Sequence, residues 1–331
     1  MTGYDEEDLR RAAAAGIRAP SLHNSQPWLF RLREGAIEVR VDAGPLDDLG
    51  GRAGPCGPDD LGLLGAPWAA RLACGAATCN ARLALAVAGR PAVVTFHPDG
   101  ADRDLVARLT RGPARRPTYA EEDLHAAITR RHSNRGPFWA TPVPAEIRVR
   151  LLDAARAEGA WLDLLVGMTA LSAFAEIARG ADRVLRRDDA YQMRLAGWTD
   201  VAGASDGIPV SAGAPLPEPQ DLLPQRFFTG RRRQSGRDYE PEPLVGILNV
   251  SGDQPIDQTA AGLALQRVLL TATDAGLDAS MLSQPIEVPA ARERLRRSLG
   301  RPGWPQMVIR FGYGTPGRPT PRRTVAEVLE H

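Results

Sequence analysis

The sequence predicts a layered fold of alternating helices and strands, α/β or α+β, laid out twice along one chain. Three observations carry this. Segments with helical spacing of apolar residues alternate with short strand-like ones. Two long, largely apolar helical stretches, Gly75 to Gly89 and Gly262 to Gly276, are each enclosed by glycines 14 positions apart. Each is followed by a strand-like segment, Ala92 to His97 or Ala279 to Ser283, and then by an arginine-rich amphipathic helix, Ala101 to Arg111 or Pro289 to Leu299. Duplication or chance can produce such a likeness.

Taken in order, Asp5 to Arg18 reads as a helix that Pro20 ends by forcing Ala19 out of the helical region. Trp28 to Arg33 alternates with period two, and Ala36 to Val41 continues as a second strand. Pro45 to Pro58, rich in Gly, Pro and Asp, is expected to be a surface loop. Helices are predicted at Ala120 to Arg131, Ala145 to Glu158 and Met168 to Arg186. Strands are predicted at Trp161 to Val166, Leu244 to Val250 and Met307 to Tyr313. The second apolar helix repeats Ala261, Leu265, Val268, Leu269 and Ala272 on one face and carries Leu263, Ala264 and Leu270 on others, so it should be buried on most sides. Asp188 to Pro243 has little periodicity, and loops of that length in a compact domain are usually functional or disordered. Its Trp198, Phe227, Phe228 and Tyr239 favour a lid or arm that packs on something.

The 331 residues suffice for about two domains or one large unit. A formal net charge of +1 draws the whole molecule toward neither nucleic acid nor an anionic membrane. No apolar run approaches the roughly 18 to 20 residues of a membrane span, and the acidic start lacks a signal peptide's basic region, so a cytoplasmic location is expected. Cys56, Cys74 and Cys79 support neither a disulfide framework nor a zinc site, and Cys74 and Cys79 read as small core residues on a helix. The chain contains no lysine, which excludes a Schiff-base lysine and a Walker lysine. Any phosphate must be held by arginine, hydroxyls or backbone amides.

Three clusters are candidates for chemistry. Ala19-Pro20-Ser21-Leu22-His23-Asn24-Ser25-Gln26-Pro27-Trp28 places short polar side chains between two prolines where a helix hands over to a strand. It is a rigid shelf for a planar polar ligand or an ordinary capped turn. In Arg131-His132-Ser133-Asn134-Arg135, alternate residues share one side of an extended chain, which suits a phosphate monoester. A basic helix end complementing its own dipole gives the same pattern. Arg318 to Thr324, with Arg322 and Arg323, closes over the same phosphate or forms a solvated tail.

These residues resemble the nitroreductase-like flavoproteins, and within them the Acg-type branch. Ala19-Pro20-Ser21-x-x-Asn24-x-Gln26-Pro27-Trp28 looks like that family's flavin-contacting loop, and Arg131-His132-Ser133-x-Arg135 like its phosphate-binding motif. Gly276-Leu277 through Pro285-Ile286-Glu287, with Met307 to Gly314 and Arg322-Arg323, resembles its C-terminal region. The resemblance implies an α+β, nitroreductase-like fold with two halves, residues 1–118 and 119–331. Each half would carry a mainly antiparallel sheet flanked by helices, with an insertion or lid at about 188–243. It further implies that Arg131 and Ser133 bind the FMN phosphate, helped by Arg322 or Arg323, and that Arg135 faces the N1/O2 side of the ring. Pro20, Ser21, Asn24 and Gln26 would line the other side. Backbone around Met281, Leu282, Ser283 and Gln284 would lie near the N5 and O4 edge.

Two departures from the family pattern matter. Ordinary members carry both motifs in one subunit, arginine motif first, and build two sites across a homodimer. Here the loop motif comes first and neither half has both, since Ala154 to Gly159 lacks a Pro-Ser-x-x-Asn. The chain therefore reads as a fused pseudo-dimer that can be a monomer, with one FMN expected per chain. Second, an insertion that closes Asp206-Gly207-Ile208-Pro209 and Trp198 over the ring leaves turnover with NAD(P)H doubtful.

The expected function is that of an FMN-dependent oxidoreductase acting on a small acceptor of unknown identity. The alternative is a flavin-sequestering or stress-response protein with little turnover. A nucleic-acid role for Gly230 to Arg237 is disfavoured by the adjacent Asp238, Glu240 and Glu242 and the lack of a stacking array. Hydrolase readings fail for want of a Gly-x-Ser-x-Gly elbow or a His-Glu-x-x-His helix. The five histidines are scattered singly, and an ordinary surface or core role is expected for each.

Overall fold

Asp5 opens the first helix, α1 (Glu6–Gly16), through a reciprocal capping box in which its carboxylate accepts from the Asp8 amide and Asp8 accepts in return. Strands β1 (Trp28–Arg33) and β2 (Ala36–Val41) follow as a hairpin whose turn residues, Glu34 and Gly35, both have positive φ. That is the two-residue turn whose twist matches the strands. Helix α2 (Ala66–Val87), β3 (Ala92–Phe96) and β4 (Leu105–Arg111) complete an antiparallel sheet of order β1-β2-β4-β3. The computed structural model describes residues 3–42, 66–199, 204–213, 215–216, 218, 221–224, 226, 240 and 242–330. The loop expected at Pro45 to Pro58 lies outside the described residues, as do Cys56, Phe227, Phe228, Tyr239 and Gly230 to Arg237.

After α3 (Tyr119–Ala127) the same plan recurs. Helix α4 (Ala145–Arg156) precedes β5 (Trp161–Leu165), and α5 (Gly167–Arg187) and α6 (Asp189–Gly197) intervene before β6 (Leu244–Val250). Helix α7 (Pro255–Asp274), β7 (Asp278–Leu282), the single turn α8 (Gln284–Glu287), α9 (Pro289–Ser298) and β8 (Trp304–Gly312) follow. The second sheet has the order β5-β6-β8-β7, which is the order of the first, and again all pairs are antiparallel. Each sheet also has a register shift in its second strand, between Val39 and Arg40 and between Leu248 and Asn249. The fold is thus a duplicated α+β architecture with helices flanking two antiparallel sheets.

The helix expected at Ala101 to Arg111 is instead strand β4. Leu105 and Leu109 sit four apart as on a helix, but the segment is buried in strand fashion between β2 and β3. Long-range charge pairing holds it there: Glu38, fully buried on β2, accepts two bonds from Arg108 on β4 and two from Arg31 on β1. Among the described residues, helix α9 has no counterpart between β3 and β4.

Helices α2 and α7 pack against one another between the sheets, and α2 contributes Trp68 and Leu72 to one core and Ala76, Ala77 and Leu85 to the other. Their near-complete burial follows from apolar residues on every face. Cys74 and Cys79 are buried on α2 as free thiols. The chain then returns to its beginning: Leu329 bridges Phe30 in parallel, Glu330 donates to the Phe30 carbonyl at 2.9 Å, and Val328 is buried with Trp28 and Phe30. Among the described residues no helix is long and apolar enough to cross a membrane.

Candidate functional site

The run between α1 and β1 forms a tight irregular loop in which His23, Asn24 and Gln26 all have positive φ, 53°, 60° and 51°. Such conformations cost side-chain-bearing residues roughly 1–3 kcal/mol each and persist only where neighbours enforce them. The enforcing contacts are present. The Gln26 amide donates to Ser21 Oγ at 3.0 Å. Asn24 Nδ2 donates to the carbonyls of Gly207 and Pro321, both at 3.0 Å, and its Oδ1 accepts from Arg322 at 2.5 Å. Gln26 Nε2 donates to Ser205 O at 2.8 Å, and its Oε1 accepts from the Arg323 amide at 2.9 Å. Asn24 and Gln26 therefore spend their amides joining the loop to the insertion and to the C-terminal segment, and neither lines the cavity beside them.

That cavity, together with the solvent space at its mouth, takes in about 870 Å³. Pro20, Ser21, Leu22 and His23 form one wall. Ser280 to Gln284, at the end of β7 and the start of α8, form another. Trp68 and Leu72 on α2, Leu265 on α7 and Met307 on β8 make it apolar, while Arg135, Arg226 and Ile208 complete its edge. Of the residues predicted from sequence, Pro20, Ser21, Arg135, Met281, Leu282, Ser283 and Gln284 thus meet around one space.

The segment carrying Arg131, Ser133 and Arg135 runs alongside β7, the edge strand of its sheet, through a parallel bridge from Ser133 to Ala279 and a bond from the Asn134 amide to Ala279 O. This brings Arg131 and Arg135 close to Arg322, and the three guanidiniums feel one another. Burial pushes all three below the ordinary arginine value, to about 10 for Arg131 and Arg135 and about 9 for Arg322, and repulsion adds to it, from Arg135 on Arg131, from Arg226 on Arg135, and from Arg131, Arg18 and Arg135 on Arg322. All stay cationic at neutral pH. Among the described residues no carboxylate pairs with Arg131 or Arg322, and the Nε atoms of both are buried without a partner. Buried charge without a carboxylate partner is costly, so Arg131 and Arg322, with Arg135 nearby, fit an anion with several acceptor oxygens, such as a phosphate monoester. Arg323 differs, since Asp42 at 2.9 Å and Asp206 at 3.5 Å already engage it.

Beyond the apolar lining, the sequence reading did not assign Arg226, Glu287, Tyr191 or His23 to the site. Arg226, from the insertion, donates to Ser283 Oγ at 3.2 Å, to the Tyr191 hydroxyl, and to Glu287 at 2.7 Å. Burial opposes the charge on Glu287, and Arg226 with neighbouring groups more than offsets it, holding the carboxyl below its usual range. Tyr191 on α6 donates to Glu287 at 3.2 Å, and burial raises its pKa. His23, expected to be an ordinary histidine, instead lines the cavity. It sits within the loop motif itself, which was the available signal; Arg226 had none, being one arginine in an aperiodic stretch.

Comparison with known proteins finds relatives that match nearly the whole chain. The chain is 31% identical over 336 residues to a Mycobacterium tuberculosis protein whose name assigns it provisionally to the NAD(P)H nitroreductases, covering 98% of this chain and 92% of that one. It is 29% identical over 338 residues to the M. tuberculosis protein Acg, similarly named, covering 97% of this chain and 95% of the relative. A crystal structure of a nitroreductase with bound FMN from Desulfitobacterium hafniense overlaps 63% of this chain and 98% of its own at a TM-score of 0.42 and 12% identity, a likeness too remote to assign roles to single residues. No protein-family model matches.

Proposed function

Because the chain belongs to the nitroreductase family, we propose that this cavity holds one FMN per chain and that the protein is an FMN-dependent oxidoreductase passing electrons to a small acceptor. The observation carrying this reading is the buried trio Arg131, Arg135 and Arg322, two of whose members have an orphaned Nε. When bound, FMN supplies the two-electron redox chemistry.

This chain's residues do the rest. Arg131, Ser133 and Arg322 hold the phosphate, each guanidinium bond being charge-assisted. Arg135, at the edge of the same cavity, supplies positive charge beside the ring, which favours an anionic reduced flavin. Pro20 and Ser21 on one wall and Met281 to Gln284 on the other bound the ring, and Trp68, Leu72, Leu265 and Met307 exclude water. Asn24, Gln26 and Arg323 act one step back, fixing the loop and the C-terminal segment that carries Arg322.

A second reading, flavin sequestration with little NAD(P)H turnover, is favoured by one observation. The insertion is stitched over the cavity at Ser205, Gly207 and Arg226, and Ile208 lines it directly. Hydride transfer from a nicotinamide needs near contact with the flavin, which a closed insertion denies.

The test is the visible spectrum of the purified protein, quantification of released FMN, and steady-state NADPH oxidation with a quinone or nitroaromatic. One FMN per chain and rapid turnover supports the oxidoreductase. One FMN per chain that stays oxidised under NADPH favours sequestration. Failure to bind added FMN rejects both.

A further inference from the structure

Once the flavin assignments are made, His23 is left facing the same cavity from the shelf loop. It is 7% exposed, is held in a left-handed conformation, and among the described residues no group hydrogen-bonds its imidazole. Neither ring nitrogen is sealed in the protein interior; the imidazole opens onto the cavity, where a molecule that comes to the site can take its N–H.

Resting on the FMN reading above, we propose that His23 is a catalytic residue that donates its ring N–H to a carbonyl or nitro oxygen of the acceptor. The acceptor class is then small planar molecules bearing such an oxygen, quinones and nitroaromatics among them. The charged groups facing the ring are Arg226, Glu287 and Arg135. Burial and the two arginines outweigh Glu287, push the pKa down to about 3 and keep the imidazole neutral. A neutral imidazole always presents one N–H donor, and it polarises a carbonyl without competing as a charged acid. For a quinone the balance is simple. Reduced flavin gives up two electrons and one proton as a hydride equivalent and is reoxidised; negative charge appears on the quinone oxygen; a solvent proton then completes the hydroquinone. His23 stabilises that developing charge by a hydrogen bond and keeps its own proton.

The experiment uses FMN-loaded wild type, His23→Phe, and His23→Asn, the last because asparagine tolerates a left-handed backbone. Flavin is reduced with stoichiometric dithionite, and its reoxidation is followed with para-benzoquinone and with ferricyanide, which offers no oxygen. Both variants are expected to react about tenfold more slowly with the quinone and unchanged with ferricyanide. Independently of turnover, the infrared carbonyl stretch of benzaldehyde bound to the oxidised protein is expected to lie lower in wild type than in either variant. Quinone rates and carbonyl stretch unchanged in a folded, FMN-retaining variant overturn the role of His23 alone; equal slowing of both oxidants overturns it too, marking a structural effect. Wild type that retains no FMN overturns the reading beneath it. Should His23→Phe fail to fold, His23→Asn decides.

Discussion

Gly75 on α2 and Gly262 on α7 meet at the centre of the molecule, each leaving room for the backbone of the other's helix. A Cβ added at Gly75 would fall within 3.0 Å of Thr259 O, and one added at Gly262 within 3.0 Å of Leu72 O. Positions 75 and 262 differ by 187, and so do 72 and 259. The crossing is therefore its own mirror under exchange of the halves, as an ancestral two-fold axis requires. With no Cβ at either position, the backbones of the two helices come into direct contact there.

Replacing either glycine with alanine is expected to cost about 2–4 kcal/mol, since backbone, which cannot give way cheaply, meets the new methyl. Gly180→Ala on α5 is the control. Its Cβ would meet only the far end of Arg183 at 4.0 Å, so it should be neutral or stabilising by up to about 1 kcal/mol. Urea denaturation of the three variants decides between these outcomes.

Arg131→Met should weaken FMN binding by about 10- to 100-fold, while raising the melting temperature of the FMN-free protein by relieving repulsion among buried charges. Opposite signs in the two assays mark a group kept for ligand rather than for folding. Arg323→Ala should cost far less affinity, because Asp42 and Asp206 already engage its side chain. Fluorescence titration with FMN and thermal melts of the FMN-free protein measure both.

Glu287→Gln leaves Arg226 buried beside the cavity with its carboxylate partner gone, at a cost of about 3–5 kcal/mol. The double variant Arg226→Met with Glu287→Leu should recover most of that loss. A double-mutant cycle in urea gives the coupling directly. Near-additivity would show that the pair does not hold the insertion.

His23 also sets a pH dependence. Its folded pKa is about 3 against an ordinary 6.5, so the unfolded chain binds the proton and the folded chain resists it. The contribution to stability is complete above about pH 6.5 and is lost as pH falls toward 3, at up to about 1.4 kcal/mol per pH unit. Between pH 6 and 4.5 this amounts to roughly 2 kcal/mol. His23→Asn should lose stability less steeply over that window in paired denaturation curves.

Periodicity revealed those elements whose neighbours lie close in sequence. The apolar helices and most strands were legible because burial dictates their residue types locally, and the glycine pairs betrayed the duplication because Gly89 and Gly276 end their helices at positive φ while Gly75 and Gly262 cross. Strand β4 was not legible, since its reason for being extended is Glu38, on a strand 70 residues earlier. In the site, residues of both motifs reach one cavity. The motifs did not distinguish Ser21 and Arg135, which line the space, from Asn24 and Gln26, which do not. An amide aimed at a ligand and one aimed at a distant carbonyl look the same in one dimension. Arg226 and Tyr191 gained meaning only when the insertion folded back onto Glu287.

The bond from Arg322 to Asn24 spans 298 positions, and this fixes when the site can exist during synthesis. The shelf loop leaves the ribosome well before the groups that hold its Asn24 side chain. The Pro321 carbonyl and the Arg322 guanidinium follow 297 and 298 positions later. A chain that stops short of Arg322 therefore lacks one of the three guanidiniums of the site proposed for FMN, together with the bond that holds Asn24.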